Sequence, residues 1–232
     1  MNKNLFEIAY ILDRSGSMSR MVEPAIAGFN QFLSEQRDAP GDARLSLILF
    51  DDQYEVPCNR LPLGEVPELD TTTYVPRATT ALLDAIGRTI NEIDQKLATM
   101  LEAERPGKVK VAIFTDGFEN ASREFSLDRI NSLIREKREE HGWEFLFLAA
   151  NQDAIASAGR MGIDPKMAGT VKFSKAGVHS SSSSMSRKMH AMRTFSVSAQ
   201  KSADFDAPMQ DIAHEEEVIV KKKRKKYLLL EV

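Results

Sequence analysis

Residues 5–17 read LFEIAYILDRSGS, and this stretch decides the fold class. The apolar run from Leu5 to Leu12 has the length of one strand, and Glu7 alone interrupts it. A nearly continuous apolar run is typical of a strand that is covered on both faces, as in parallel sheets. Polar residues begin abruptly at Asp13, and a helical pattern of apolar residues follows: Val22, Ile26, Phe29 and Leu33. A buried strand that leads into an amphipathic helix predicts the first unit of an α/β sheet.

Strands and helices alternate along the rest of the chain. Further strands are predicted at 43–50, 54–57, 109–115, 143–150 and 170–173, and further helices at 82–101, 127–134 and 153–161. The strand at 54–57 directly follows the turn residues Asp51-Asp52-Gln53, which predicts a hairpin with the strand before it. The alternation as a whole predicts a doubly wound, mostly parallel sheet.

One domain followed by a tail is the predicted organisation. The chain has 232 residues, of which 42% are apolar and 28% charged, and this composition suits one globular α/β domain over residues 1–199. Methionines at helical spacing, Met185, Met189 and Met192, predict a terminal amphipathic helix that packs on this domain rather than a methionine-rich binding surface. Residues 200–232 form a polar and basic C-terminal tail, and we expect the sheet to fold without them.

Charge and cysteine content limit the classes of protein. The net charge of -3 argues neither for nor against a nucleic-acid partner. The single cysteine, Cys58, excludes an internal disulfide and a cysteine-based zinc site, and it suits a reducing compartment. No run reaches the roughly 18 to 20 apolar residues of a membrane span. We therefore expect a soluble, cytoplasmic protein.

Three polar segments follow or face strand ends that should meet at one edge of the sheet. They are residues 13–17, the pair Thr79-Thr80, and residues 115–117. Ligands of open α/β sheets bind outside the carboxyl ends of the strands, where the strand order reverses. All the donors are carboxylate or hydroxyl oxygens, which suit a hard cation, Mg²⁺ first and Mn²⁺ or Ca²⁺ next. With only two carboxylates, such a site would keep waters or leave a position open to an acidic group of a partner.

This constellation resembles the metal-ion-dependent adhesion site (MIDAS) of von Willebrand factor A (VWA) domains. The family motif is D-x-S-x-S, then a threonine, then D-G at the end of the fourth strand, and the matching residues here are Asp13, Ser15, Ser17, Thr80 and Asp116. The resemblance implies a Rossmann-like VWA fold: a mostly parallel six-stranded sheet with one antiparallel edge strand, and helices on both faces. It also implies that the serines and the threonine contact the metal directly, whereas the aspartates often act through water. Residues 145–163 are similar to bacterial and phage VWA proteins, including those associated with tellurium resistance, and the likeness covers about residues 3–195.

One segment departs from the family pattern. Relatives often read P-R-G-x-T before the threonine, whereas this chain has Pro-Arg-Ala-Thr-Thr at 76–80. The missing glycine leaves Thr79 open as a substitute for Thr80. Simpler roles also remain open, since Thr80 could cap a helix, Asp116 could open a turn, and the serines could satisfy helix-terminal amides.

The sequence therefore predicts a divalent-cation-dependent protein–protein interaction module and not an enzyme. The competing prediction is Mg²⁺-dependent phosphoryl transfer with Asp13 as nucleophile. Serine at position 15, where a haloacid-dehalogenase-type phosphatase needs a second aspartate, argues against it, and we expect all four histidines to face solvent.

The basic run at 221–226 is the basis of a third hypothesis. Its lysines and arginine could bind nucleic-acid phosphates without sequence preference. No aromatic residues are interleaved to stack on bases, so the pattern favours a solvated tail.

Overall fold

The computed structural model describes residues 1–116, 119–150, 153–172 and 174–228, in which six strands alternate with helices. The strands are β1 (Asn2–Asp13), β2 (Asp42–Phe50), β3 (Tyr54–Pro62), β4 (Pro106–Thr115), β5 (Glu144–Ala149) and β6 (Ala168–Thr170). The helices are α1 (Val22–Arg37), α2 (Leu82–Thr99), α3 (Leu127–His141), α4 (Ala154–Arg160), α5 (Lys175–Ser198), α6 (Ala203–Asp206) and α7 (Met209–Leu228). The predicted glycine at 117, the predicted strand end at Phe173 and the side chains of residues 223–226 lie outside the described part of the chain.

One six-stranded sheet has the strand order β3-β2-β1-β4-β5-β6. Neighbouring strands are parallel except for β2 and β3, which form the predicted hairpin at one edge. The chain builds β2 on one side of β1 and later returns to place β4 on the other side, so the order reverses between β1 and β4. The doubly wound fold with one antiparallel edge strand is confirmed, and its switch point lies at the carboxyl ends of β1 and β4.

The register of β1 against β4 places the first polar residues of the site side by side. Leu12 of β1 pairs with Phe114 of β4, so Asp13 and Thr115 are the next residues on adjacent strands. β1 also pairs with β2 over its whole buried length, ending with Asp13 opposite Phe50. The end of β1 is therefore held from both sides.

Two hydrophobic cores cover the two faces of the sheet. Alternate residues of β1 divide between them, with Ile8 and Tyr10 in the core that also contains residues of α1, α5 and α7. Ala9 and Ile11 belong to the other core, with residues of α2 and α3. Because β1 is buried on both faces, its sequence is an apolar run rather than an alternation of polar and apolar residues.

Two strands differ in extent from their predictions. β3 continues to Pro62 instead of ending near residue 57, with register shifts along its pairing with β2. β6 covers Ala168–Thr170 instead of 170–173, because its bounds are set by pairing with Phe147 to Ala149 of β5. A strand this short has too few residues to show a hydrophobic period.

The C-terminal third of the chain packs more extensively than its sequence suggests. The three methionines predicted to lie in the core are buried in α5, as expected. Helices α6 and α7 occupy the segment predicted to be a polar tail, and Met209 (0% exposed) and Ile212 (1% exposed) of α7 are buried. The described part of this segment thus contributes to the core, although the division of the chain at residue 199 stays a prediction. Within the described ranges, no helix combines the length and apolar content that a membrane span requires.

Candidate metal centre

Hydrogen bonds hold Asp13 of the candidate site in place. Its side chain is fully buried at the end of β1. Carboxylate Oδ1 accepts a hydrogen bond from the Ser15 amide at 2.7 Å, and Oδ2 accepts one from the Thr115 hydroxyl at 2.5 Å. The Tyr74 hydroxyl donates to the Asp13 carbonyl oxygen at 2.5 Å. These bonds fix both the carboxylate and the backbone of Asp13, as a preorganised binding group requires.

A chain of hydroxyl contacts links residues 13–17, which we call the serine loop, to Asp116. The Ser15 and Ser17 hydroxyl oxygens lie 3.0 Å apart, and the Ser17 hydroxyl donates to Asp116 Oδ1 at 2.7 Å. Asp116 directly follows β4, whereas both serines follow β1. The structure therefore brings four of the five predicted residues into one bonded group.

Thr80, the fifth residue, is buried, with 3% of its surface exposed. Its amide donates to Asn120 Oδ1 at 2.9 Å, and its carbonyl oxygen accepts from the Asn120 amide at 3.1 Å. The Gly16 amide donates to the Ala78 carbonyl oxygen at 3.0 Å. This bond joins the serine loop to residues 76–80, which we call the threonine segment. Thr79 is exposed, so Thr80 is the buried threonine of the pair. The Thr80 hydroxyl forms no hydrogen bond with the other four residues.

Helix capping does not explain these side chains. Ala81 is the N-cap residue of α2, and the first amides of the helix donate to residues from the segment after β4: the Leu83 amide to Glu119 at 2.9 Å and the Asp84 amide to Ser122 at 3.0 Å. Ser15 precedes a short 3-10 helix, and its side chain accepts no capping hydrogen bond. The capping roles left open for Thr80 and Ser15 are therefore not seen, because other residues accept from the first amides of α2 and Ser15 forms no side-chain cap.

Sequence reasoning missed Glu119, Asn120 and Tyr74 as supports of the site. The first two follow the Asp116-Gly117 pair almost directly, so their position after a strand at the site edge was an available signal. Tyr74 lies in the proline-rich loop before α2, where no periodicity marks it as buried.

Comparison of the whole fold with solved structures identifies its type. No protein-family model and no curated protein matches the sequence. The pilus adhesin SpaC from Lactobacillus rhamnosus GG superposes with a TM-score of 0.59 at 13% identity, over 83% of this chain and 31% of that chain. A von Willebrand factor type A protein from Catenulispora acidiphila gives a TM-score of 0.53 at 12% identity, over 80% of this chain and 42% of that chain. Proximal thread matrix protein 1 from the mussel byssus, with a zinc-occupied MIDAS motif, gives a TM-score of 0.53 at 12% identity, over 80% of this chain and 46% of that chain.

The chain has the VWA fold. It matches less than half the length of each of these proteins. The likeness to the tellurium-associated type stays a prediction, as does the assignment of the metal ligands.

Ala78 stands where the VWA pattern that the sequence resembles often has glycine, and its backbone adopts a conformation typical of glycine. Its φ angle is 56°, in the left-handed region that residues with a side chain rarely adopt. This conformation allows its carbonyl oxygen to accept from the Gly16 amide. The alanine therefore adds backbone strain to the loop while the contact to the serine loop is kept.

Burial changes the protonation of the two carboxyl groups of the candidate site. Burial raises the pKa of Asp13 to about 6, and the nearby Asp116 carboxylate adds to this effect, while hydrogen bonds from Thr115 and Ser15 oppose it. Burial also raises the pKa of Asp116, with an opposing hydrogen bond from Ser17. Neither carboxylate is paired with a basic side chain of the described residues.

The donor set fits a hard divalent cation. Asp116 Oδ2 is buried and has no hydrogen-bond partner among the described residues, which is costly for a carboxylate oxygen unless a ligand satisfies it. No cluster of three or more His, Cys, Asp or Glu side chains in the described part of the chain is placed to hold a metal. A cation bound here would therefore depend on the hydroxyl groups, and oxygen-only coordination suits Mg²⁺, Mn²⁺ or Ca²⁺.

Proposed function

We propose that this VWA domain is a divalent-cation-dependent interaction module that binds an acidic group of a partner protein. The observation that carries the proposal is the buried, unpartnered Asp116 Oδ2 beside the linked hydroxyls of Ser15 and Ser17. The mussel protein with a zinc-occupied MIDAS motif shares this fold, which supports the comparison of the sites.

The ligands proposed for Mg²⁺, with Mn²⁺ or Ca²⁺ as alternatives, are Asp13, Ser15, Ser17, Thr80 and Asp116. When bound, the cation supplies a positive charge that attracts one further carboxylate. The chain's own residues prepare this arrangement. Asp13 is fixed by its hydrogen bonds. Because Ser17 donates its single hydroxyl hydrogen to Asp116, Ser15 is the donor in the contact between the two serines, and each serine oxygen keeps a lone pair for a ligand.

The remaining alternatives have less support. All four histidines, at positions 141, 179, 190 and 214, are exposed, so no histidine is buried beside Asp13 to act as a general acid or base for phosphoryl transfer. For nucleic-acid binding, Lys221 and Lys222 are exposed, whereas the side chains of 223–226 lie outside the described residues. A non-enzymatic, cytoplasmic interaction module thus remains the proposal.

Calorimetry on the full chain tests the metal site. After treatment with chelator, the wild type should bind Mg²⁺ or Mn²⁺ weakly at one site, because two carboxylates neutralise the ion only in part. Ser15→Ala and Asp116→Ala should each abolish binding while circular dichroism shows a folded protein. Ser19→Ala is the matched control, since Ser19 lies in the same loop but donates only to the Gly16 carbonyl oxygen. An isotherm that Asp116→Ala leaves unchanged would show that the site is wrongly assigned.

Acetate tests the acidic part of the proposal. The Mn²⁺-loaded protein should broaden the methyl signal of acetate in NMR spectra beyond the same concentration of free Mn²⁺, because an open coordination position admits a carboxylate. Addition of EDTA should remove the effect. Equal broadening by protein-bound and free Mn²⁺ at every acetate concentration would contradict an acidic partner group.

A further inference from the structure

Four charged side chains form one connected network beside the candidate site: Arg14, Asp51, Glu55 and Arg77. Both arginines donate to the same oxygen, Asp51 Oδ2, from Arg14 Nε at 3.0 Å and from Arg77 Nε at 2.7 Å. Both also reach Glu55, with Arg14 Nη1 at 2.8 Å from Oε2 and Arg77 Nη2 at 2.5 Å from Oε1. Each acid thus bridges two arginines, and we call this set the charge network.

The charge network joins three segments of the chain. Arg14 lies between Asp13 and Ser15 in the serine loop, and Arg77 lies shortly before Thr80. The two acids belong to the turn and first residues of the β2–β3 hairpin. The network therefore ties the serine loop and the threonine segment to a common support.

Backbone hydrogen bonds follow the same path. The Arg77 amide donates to the Arg14 carbonyl oxygen at 2.8 Å, and the Arg14 amide donates to the Phe50 carbonyl oxygen at 2.8 Å. The Ala81 amide, next to Thr80, donates to the Asp51 carbonyl oxygen at 2.8 Å. The spacing between the two ligand-bearing segments is thus set both by the main chain and by the charge network.

Burial divides the charge network into an inner and an outer half. Asp51 and Arg14 are buried, whereas the side chains of Arg77 and Glu55 are 44% and 45% exposed. The two arginines hold the pKa of Glu55 down at about 2, with hydrogen bonding from Arg14 as the largest cause. The outer pair therefore stays charged, yet exposed ion pairs contribute little to folding stability.

We propose that the charge network is a positioning device for the metal site, so that cation affinity depends on Arg77 and Glu55 although neither belongs to the ligand set. This inference rests on the proposed function. Groups that orient ligands from outside the coordination shell typically change metal affinity by about 10- to 100-fold. A large change in affinity with a small change in stability is the result that separates positioning from a purely structural role.

The test compares two arginines of similar exposure in the full-length chain. Arg77→Met removes one residue of the outer half, together with its contacts to both acids. Arg88→Met is the matched control. Arg88 lies on α2, the helix that follows the threonine segment, and it also forms an exposed ion pair with a glutamate, Glu124. Calorimetric titration gives the Mn²⁺ affinity, electron paramagnetic resonance gives the coordination symmetry of the bound ion, and thermal unfolding of the metal-free proteins gives their stability.

We expect Arg77→Met to weaken Mn²⁺ binding by about tenfold and to change the resonance spectrum. Because the buried Asp51 keeps its hydrogen bond from Arg14, Arg77→Met should melt close to Arg88→Met. Arg88→Met should bind as the wild type does. Arg77→Lys should restore affinity only in part, because a single ammonium group cannot reproduce the forked contacts to both acids.

Wild-type affinity in Arg77→Met would overturn the inference while the proposed function stands. Equal weakening in both variants, or a loss of affinity that merely follows a loss of stability, would also overturn it. A wild type that binds no Mn²⁺ would remove the proposed function and this inference together.

Discussion

Removal of residues 200–232 should destabilise the protein strongly, in contrast to what the polar sequence of this segment suggests. Met209 and Ile212 of α7 are 0% and 1% exposed in the native structure. Burying one such side chain contributes about 1.5–3 kcal/mol, so the two together contribute about 3–6 kcal/mol. Domains of this kind have a total stability of about 5–15 kcal/mol. The truncated chain should therefore be marginally stable.

Urea unfolding measures the effect. With a denaturant slope of about 3 kcal/mol per molar urea, the midpoint of the truncated protein should fall by about 1–2 M. Two point variants on the same helix separate burial from helix loss. Met209→Ala should cost about 2–5 kcal/mol, whereas Val218→Ala, at a side chain 48% exposed, should stay within about 0.5 kcal/mol of the wild type. A truncated protein that unfolds at the wild-type midpoint, or equal effects of the two point variants, would refute the argument.

Three further predictions concern the site and its supports. Thr80→Ala should weaken Mg²⁺ binding in calorimetry by about tenfold or more, while Thr79→Ala leaves it intact; the reverse pattern would make the exposed threonine the ligand. Ala78→Gly should raise the free energy of unfolding by about 0.5 kcal/mol, because the relief of left-handed backbone strain exceeds the added entropy of the unfolded chain. Ala199→Gly, at the same φ of 56°, should have the same effect. If Ala78→Gly alone lowers stability, the alanine is not strained. Glu119→Ala should lower stability in urea unfolding by about 1–3 kcal/mol, because the Leu83 amide at the start of α2 loses its acceptor. Unchanged stability would mean that water replaces the carboxylate.

The fold was predictable because its strands are buried on both faces. The apolar run of β1 and the turn residues at 51–53 are local signals, and they indicated a parallel sheet with one hairpin. The edge of the sheet at which Asp13 and Asp116 meet followed from the rule for open α/β sheets. The contact between these segments, through the Ser17 hydroxyl and Asp116, agrees with that rule.

The contacts made by the supports of the site were not predictable, because each contact joins distant parts of the chain. Tyr74 reaches Asp13, and Glu119 reaches the start of α2, without any periodic pattern in their own segments. The burial of α7 was missed for a related reason. Its buried face is narrow, with Met209 and Ile212 among charged residues, and it becomes part of the core by packing on α5 and β6.

The hydrogen bond from Tyr74 to the carbonyl oxygen of Asp13 shows that the D-x-S-x-S motif depends on residues outside it. This dependence limits the transfer of the motif to another protein. A peptide or graft that carries residues 13–17 alone would bring the hydroxyls and one carboxylate, but not the tyrosine, the Thr115 hydroxyl or the Ala78 carbonyl oxygen that hold them in place. Transplanting the site into another scaffold therefore requires at least three loops in register. By the same logic, a chain that contains D-x-S-x-S without those loops should not be expected to bind a cation in this way.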